Sequence, residues 1–251
     1  MLYICIPAYN EAATVGVMLW RIRKVFQDFD REYELLVYDD GSDDGTAEVL
    51  KPYSEVLPLT VLGGPRRVGY AAAVDALVRE AANRTKYGRR DAIILMQGDF
   101  TDPPGQIPEL IRRFEGGADI VVTDRSGSVS PPPVRRLRQV GNWMLRAFGG
   151  TSPVLDPFGS FRLFRVSVLR ELMKARGESR IVQGDRWTAN ADLLLGALPF
   201  ARRTETVACE ACYDLRLRGS RVRPFADGVQ ILRFARGARS RHPSSPARAR
   251  A

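Results

Sequence analysis

From Leu2 to Thr123 short apolar runs alternate with stretches of helical periodicity, and nearly every run ends in a polar or glycine-rich cluster. The runs fall at Leu2–Ile6, Glu34–Tyr38, Leu57–Leu62, Ala92–Met96 and Ala118–Thr123, and they have the length and content of buried strands. Between them, Ala12–Phe29, Thr46–Tyr53, Gly69–Asn83 and Ile107–Glu115 read as helices; the first carries Val15, Met18, Leu19, Ile22, Val25 and Phe26 at helical spacing. This rhythm predicts βαβ units: a mostly parallel sheet covered by helices on both faces. In such sheets ligands gather outside the carboxyl ends of the strands.

Three of those ends carry acids or amides: Asn10-Glu11, the Asp39–Asp44 cluster, and Gln97-Gly98-Asp99. The third is the most informative. Ile93-Ile94-Leu95-Met96 runs straight into Gln97, Gly98, Asp99, Phe100, Thr101 and Asp102, and Pro103-Pro104 forbid the strand from continuing. An acid at that edge can hold a divalent cation, and the cation can hold a diphosphate. Gln97 is a neutral amide where a second carboxylate would be expected, and Asp102 reads as a turn residue before Pro103. Asp40, Ser42 and Asp44 imitate a calcium loop, but its twelfth position is Lys51 rather than a bidentate acid, so that reading fails. G-x-G-x-x-G is absent around Gly64–Gly69, where Arg66 and Arg67 are candidate phosphate partners.

Several chemistries are disfavoured. The lone histidine, His242, sits near the carboxyl terminus, so a Ser-His-Asp hydrolase is not expected. Cys5, Cys209 and Cys212 form neither a disulfide framework nor a convincing zinc set. No run approaches eighteen apolar residues and nothing at the start reads as a signal peptide, which makes a cytosolic protein the expectation.

After Thr123 the rhythm breaks. Ser126–Pro133 is unsuited to helix or central strand and reads as a linker or as a loop over the site. Val134–Phe148 reads as a basic amphipathic helix, Val166–Ala175 and Asn190–Leu198 as further helices, and Ala201–Tyr213 as strand. The net charge of +9 lies entirely at the end: from Arg216 onward there are ten arginines against the single acid Asp227. Such a tail suits anionic lipid headgroups, nucleic acid or solvent. No aromatic RNA motif or helix-turn-helix pattern supports nucleic acid, so a peripheral anionic membrane surface is the expected partner.

The order Pro7-Ala8-Tyr9-Asn10-Glu11, then Asp39-Asp40-Gly41-Ser42-Asp43-Asp44-Gly45-Thr46, then Gly98-Asp99-Phe100-Thr101-Asp102-Pro103-Pro104, resembles the family 2 glycosyltransferases. Asp156-Pro157-Phe158-Gly159-Ser160-Phe161-Arg162-Leu163-Phe164-Arg165 narrows this to a block resembling dolichyl-phosphate mannose synthases and other polyprenyl-phosphate sugar transferases. The resemblance implies an α/β, GT-A type nucleotide-diphospho-sugar transferase fold with a Rossmann-like sheet. One domain would span residues 1–225, with an acceptor loop near 125–134, and 226–251 would be a basic, partly disordered tail.

By position, the resemblance implies that Pro7, Ala8, Tyr9, Asn10, Glu11, Asp39, Asp40, Ser42 and Gly98 line the nucleotide pocket. Asp99 would be the second acid of an Asp-x-Asp motif, with Gln97 in place of the first and Thr101 in the metal shell, around Mg2+ or Mn2+. Arg125, Arg162, Ser220 and Arg221 would meet phosphate or acceptor, although Arg216–Arg221 matches its block one residue short. Asp192 falls at an acidic helix position.

The implied reaction is inverting transfer of a hexose from a GDP- or UDP-sugar to a polyprenyl phosphate, at the cytoplasmic face of the membrane. A lipid phosphate is already ionised near neutral pH and needs no general base. A hydroxyl on a glycan or small molecule would need one, and Asp192 is the candidate. Gln97 leaves open a third reading, a non-catalytic nucleotide-sugar binding protein.

Overall fold

The computed structural model describes residues 1–125, 131–148, 156–209 and 224–241. The strands are β1 (Leu2–Ala8), β2 (Tyr33–Asp40), β3 (Leu59–Gly64), β4 (Ala92–Leu95), β5 (Ile120–Asp124), β6 (Arg162–Arg165) and β7 (Thr204–Ala208). They form one sheet in the order β3-β2-β1-β4-β6-β5-β7. All pairings are parallel except those of β6, which runs antiparallel between β4 and β5. The helices are α1 (Val15–Asp28), α2 (Thr46–Val56), α3 (Tyr70–Arg84), α4 (Ile107–Glu115), α5 (Pro132–Ala147), α6 (Val166–Arg176), α7 (Trp187–Ala197) and α8 (Pro224–Arg241).

Strand alternation sorts the core into two layers. Ile4, Ile6, Leu35, Val37 and Ile94 face α1, α2 and α4, where Met18, Leu19, Ile22, Leu50 and Leu110 meet them. Tyr3, Cys5, Leu36, Ile93 and Leu95 face the other side, against Val74 and Leu77 of α3, Leu169 of α6 and Leu193 of α7. A third apolar cluster joins Leu137 and Leu145 of α5, Leu195 of α7 and Ile231, Phe234 and Ala238 of α8 around Phe158.

Three features depart from the sequence expectations. β6 was not anticipated. Its register pairs Leu95 with Arg162, so β6 enters the sheet at the same edge where β4 leaves it. Helix α5 begins at Pro132, inside the proline run, because proline lacks only an amide that a first turn leaves unpaired anyway. The segment expected as tail from residue 226 is helical as far as Arg241 and packs on α5 and α7. Residues 126–130 of the expected acceptor loop, the end of the expected last strand beyond Cys209, and Ser220 and Arg221 lie outside the described residues.

Candidate active site

β1, β2 and β4 are neighbours and parallel, so the three polar strand ends meet at one edge. The first two are stitched together by side chains. Asn10 takes a left-handed backbone (φ +53°), which asparagine tolerates. Its amide nitrogen donates to Ser42 Oγ (2.9 Å) and its Nδ2 to Asp43 Oδ1 (2.7 Å), while the Asp43 amide donates back to Asn10 Oδ1 (3.1 Å). The Glu11 amide donates to Thr46 Oγ1 (3.0 Å) and the Ala12 amide to Asp44 Oδ2 (3.0 Å). Within the second loop, the Ser42 amide and hydroxyl both donate to Asp39 Oδ1. Asp43 and Asp44 therefore hold the two loops to each other.

The two acids at the end of β2 differ. Asp40 accepts from the amides of Val68 (2.6 Å) and Gly69 (3.0 Å), so its carboxylate caps the amino end of α3. The Pro65–Arg67 backbone lies so close that a Cβ on Gly41 (φ +67°) would sit 2.8 Å from the Arg67 amide. The close approach lays the Arg67 guanidinium over the Tyr9 ring, 3.9 Å from its centroid, with Arg67 Nε 3.6 Å from Asp40 Oδ2. Arg67, a candidate phosphate partner in the sequence, thus lies against the ends of β1 and β2.

At the end of β4 the chain turns tightly. Asp99 is buried, and Thr101 donates to its Oδ1 through both the amide (3.2 Å) and the hydroxyl. Between them Phe100 holds φ +64°, an unfavourable conformation for a bulky residue that marks a constrained loop. Gly98 lies against this constellation: a Cβ there would touch Ile6 Cγ2 at 3.4 Å and Glu11 Cγ at 3.8 Å. Pro7 and Ala8 are buried backbone of β1 and Tyr9 is half-buried beyond them.

Asp102 is the residue that sequence reasoning missed. It is fully buried, forms an ion pair with Arg125, and accepts from the Gln97 amide (2.7 Å) and Ser160 Oγ (3.0 Å). One carboxylate thus ties the ends of β4 and β5 to the segment entering β6. The turn reading of Asp102 is corrected. So is the expectation of Arg125 as a residue open to an acceptor: its side chain is 3% exposed and meets Asp102.

Gln97 is held from its nitrogen. Nε2 donates to the Tyr70 hydroxyl (3.0 Å), which donates onward to Asn190 Oδ1 (2.8 Å), and Asn190 Nδ2 donates to the Phe158 carbonyl (3.2 Å). This relay runs from β4 through the first residue of α3 to α7. Burial pushes the Tyr70 phenol well above its ordinary range, so it stays protonated and remains a donor. Tyr70 and Asn190 gave no sequence signal beyond their polarity inside apolar helices.

Two other candidates have structural partners. Arg162 is 2% exposed and donates to the carbonyls of Asn190 (2.6 Å), Asp156 (3.0 Å) and Pro157 (2.6 Å). Burial pulls its pKa down to about 10, so it remains a cation at neutral pH. It braces the edge from behind instead of presenting its guanidinium to a phosphate. Asp192 is fully buried and accepts from Arg176 (2.7 Å) and the Gln183 amide (3.0 Å), facing α6 as half of an ion pair.

Among the described residues no group of three His, Cys, Asp or Glu side chains could hold a metal alone. Beside the Asp102–Arg125 pair, the end of β4 offers the buried Asp99 carboxylate, the Thr101 hydroxyl and the Gln97 amide, whose oxygens are hard donors. That set fits a cation of the magnesium type, which takes one or two carboxylates and completes its shell with water and substrate phosphates.

The chain matches the model of glycosyl transferase family 2 over residues 3–173. It is 26% identical over 184 residues to "Uncharacterized glycosyltransferase YkcC" of Bacillus subtilis (strain 168), covering 72% of this chain and 54% of that protein. It is 27% identical over 185 residues to the undecaprenyl-phosphate 4-deoxy-4-formamido-L-arabinose transferase of Edwardsiella ictaluri (strain 93-146), covering 71% and 53%. The chain therefore spans about half the length of these curated relatives. In fold it is similar to glucosyl-3-phosphoglycerate synthase from Mycobacterium tuberculosis, solved with Mn2+, UDP-glucose and phosphoglyceric acid. That match has a TM-score of 0.67 and 18% identity, over 98% of this chain and 81% of that one.

Proposed function

Because the chain belongs to glycosyl transferase family 2 and has its GT-A type fold, we propose that it transfers a hexose, with inversion, from a nucleotide sugar to a polyprenyl phosphate. The observation that carries this reading is the convergence of three polar strand ends, with buried Asp99 at their centre. The relatives named as undecaprenyl-phosphate transferases support the acceptor class. The neighbours solved with UDP favour a UDP-sugar over a GDP-sugar.

In this reading Tyr9, Arg67 and Asp39 meet the nucleoside, with Asn10, Glu11 and Ser42 fixing the loops that carry them. Asp99, Thr101 and the Gln97 amide oxygen would hold Mg2+ or Mn2+, which would supply charge stabilisation for the departing nucleoside diphosphate. An oxygen of the acceptor phosphate attacks the anomeric carbon from the opposite side. The bond from that carbon to the diphosphate oxygen breaks, and its electron pair leaves with the nucleoside diphosphate. A phosphate monoester has a second pKa of about 6, so the nucleophile is already ionised and the chain supplies no base. Ser220 and Arg221, which lie outside the described residues, are assigned to the acceptor phosphate, while Arg125 acts on the site through its ion pair with Asp102.

One domain extends over residues 1–225 in this account, with α8 as its packed extension, and transfer takes place at the cytoplasmic surface of an anionic membrane. The test is a matrix of UDP- and GDP-sugars with Mn2+ or Mg2+ against polyprenyl phosphate, 3-phosphoglycerate and simple sugar acceptors. Glycolipid as the dominant product supports the reading. Product only on a soluble acceptor overturns the lipid assignment, and donor binding with no product on any acceptor makes the chain a nucleotide-sugar binding protein.

A further inference from the structure

Helix α5 buries Val134, Leu137, Gly141 and Leu145 and turns the opposite stripe, Arg136, Val140, Trp143 and Ala147, outward. On that stripe Trp143 is 66% exposed and Val140 45%, and Phe148 just past the helix end is 37% exposed. Exposed apolar side chains of this size on a helix are a cost in water unless something covers them. The charge around them has one sign. From Pro132 to Ala147 there are four arginines and no acid, and Arg135, Arg136 and Arg146 are exposed. Helix α8 packs beside α5 and adds exposed Arg233 and Arg236, the latter 5.7 Å from the Phe148 ring. The acid of α8, Asp227, is buried against Arg186.

We infer that this face of α5, with the adjoining arginines of α8, is the surface by which the chain lies on an anionic lipid bilayer. An indole and aliphatic side chains framed by guanidinium groups match the headgroup boundary, where the ring enters and the cations meet lipid phosphate. The inner side of the same helix carries Arg138 to within 3.7 Å of Asp156, at the start of the segment that leads through Ser160 to Asp102. The inference rests on the polyprenyl-phosphate reading for its purpose, but its measurement needs neither donor nor acceptor.

A second basic face competes with it. Helix α1 exposes Val17 and Trp20 beside Arg21, Arg23 and Lys24, but it also carries the exposed acid Asp28, where α5 carries none. The test is flotation of the full chain with vesicles of phosphatidylcholine alone or with phosphatidylglycerol, for wild type, Trp143→Ser, Val140→Ser/Trp143→Ser and Trp20→Ser. Binding is expected only to the anionic vesicles, weakened about ten-fold in Trp143→Ser, more in the double variant, and unchanged in Trp20→Ser. Turnover of a short, soluble polyprenyl phosphate should be equal in all four, so failure of the lipid face and failure of the enzyme reading are separable. No wild-type binding, equal binding of Trp143→Ser, or selective loss in Trp20→Ser would overturn the inference. So would a wild-type dimer in sedimentation that Trp143→Ser dissolves without any vesicle binding.

Discussion

Asp102 and Arg125 form an ion pair whose side chains are 0% and 3% exposed, directly behind the loop that carries Asp99. Its geometry joins β4, β5 and the approach to β6, so the pair fixes this strand edge as well as neutralising itself. Removing one partner of such a pair leaves an uncompensated buried charge, which typically costs about 3–5 kcal/mol. Asp102→Ala should lose stability of that order in urea unfolding. The double variant Asp102→Ala/Arg125→Ala should recover part of it. A single variant as stable as wild type would show that the pair is not formed in solution.

The relay through Tyr70 predicts a smaller effect. Tyr70→Phe leaves the Gln97 amide nitrogen and the Asn190 amide oxygen without their shared partner, a loss of about 1–3 kcal/mol for a buried polar group. Turnover should drop while metal-free donor affinity changes little, because the relay holds the proposed cation ligand Gln97 and not the nucleoside. Equal loss of affinity and turnover would instead place Tyr70 in the donor pocket.

The sheet and the meeting of its three polar strand ends are legible in the sequence. Short continuous apolar runs separated by helical spacing predict β1 to β5, and the parallel order follows from βαβ spacing. β6 escaped because it is four residues, Arg162–Arg165, bounded by arginines and paired antiparallel across long sequence separation. α8 was hidden by its arginines, although Ile231, Phe234, Ala235 and Ala238 repeat at helical spacing and were there to be found. The pairing of Asp102 with Arg125 is a tertiary fact; nothing local distinguishes Asp102 from a turn acid before proline.

Asp192 provides a direct contrast between two roles. As the buried partner of Arg176 it predicts that Asp192→Asn weakens the fold by roughly 3 kcal/mol or more while the folded fraction retains kcat. A base would behave in the opposite way, with kcat down about 100-fold or more at unchanged stability. Thermal unfolding and kcat measured on the same preparation decide between them.

The loop acids predict a pH dependence. Burial works to raise the Asp44 carboxyl, but hydrogen bonds from the Thr46 hydroxyl and the Ala12 and Thr46 amides outweigh it and hold the pKa below the usual range. A depressed acid adds stability above its unfolded pKa of about 3.9, and that contribution disappears as pH falls through the lower folded value. Asp44→Asn should therefore be less stable than wild type at pH 7 and converge with it under strong acid. Parallel stability curves down to pH 2 would contradict the assignment.

Gln97→Asp adds a carboxylate to the cation set but removes the amide donor that Tyr70 accepts. Half-saturation by Mn2+ should shift to lower concentration, with a modest loss of stability of about 1 kcal/mol from the broken bond. Unchanged Mn2+ dependence in a folded variant would place residue 97 outside the cation shell.

Asp99 is the proposed link between protein, cation and donor diphosphate, and calorimetric titration of UDP with and without Mn2+ measures that link. In wild type, Mn2+ should tighten UDP binding by at least about ten-fold, equivalent to about 1.4 kcal/mol. In Asp99→Asn that gain should vanish while metal-free binding stays close to wild type. An equal Mn2+ gain in both proteins would contradict the site as built here.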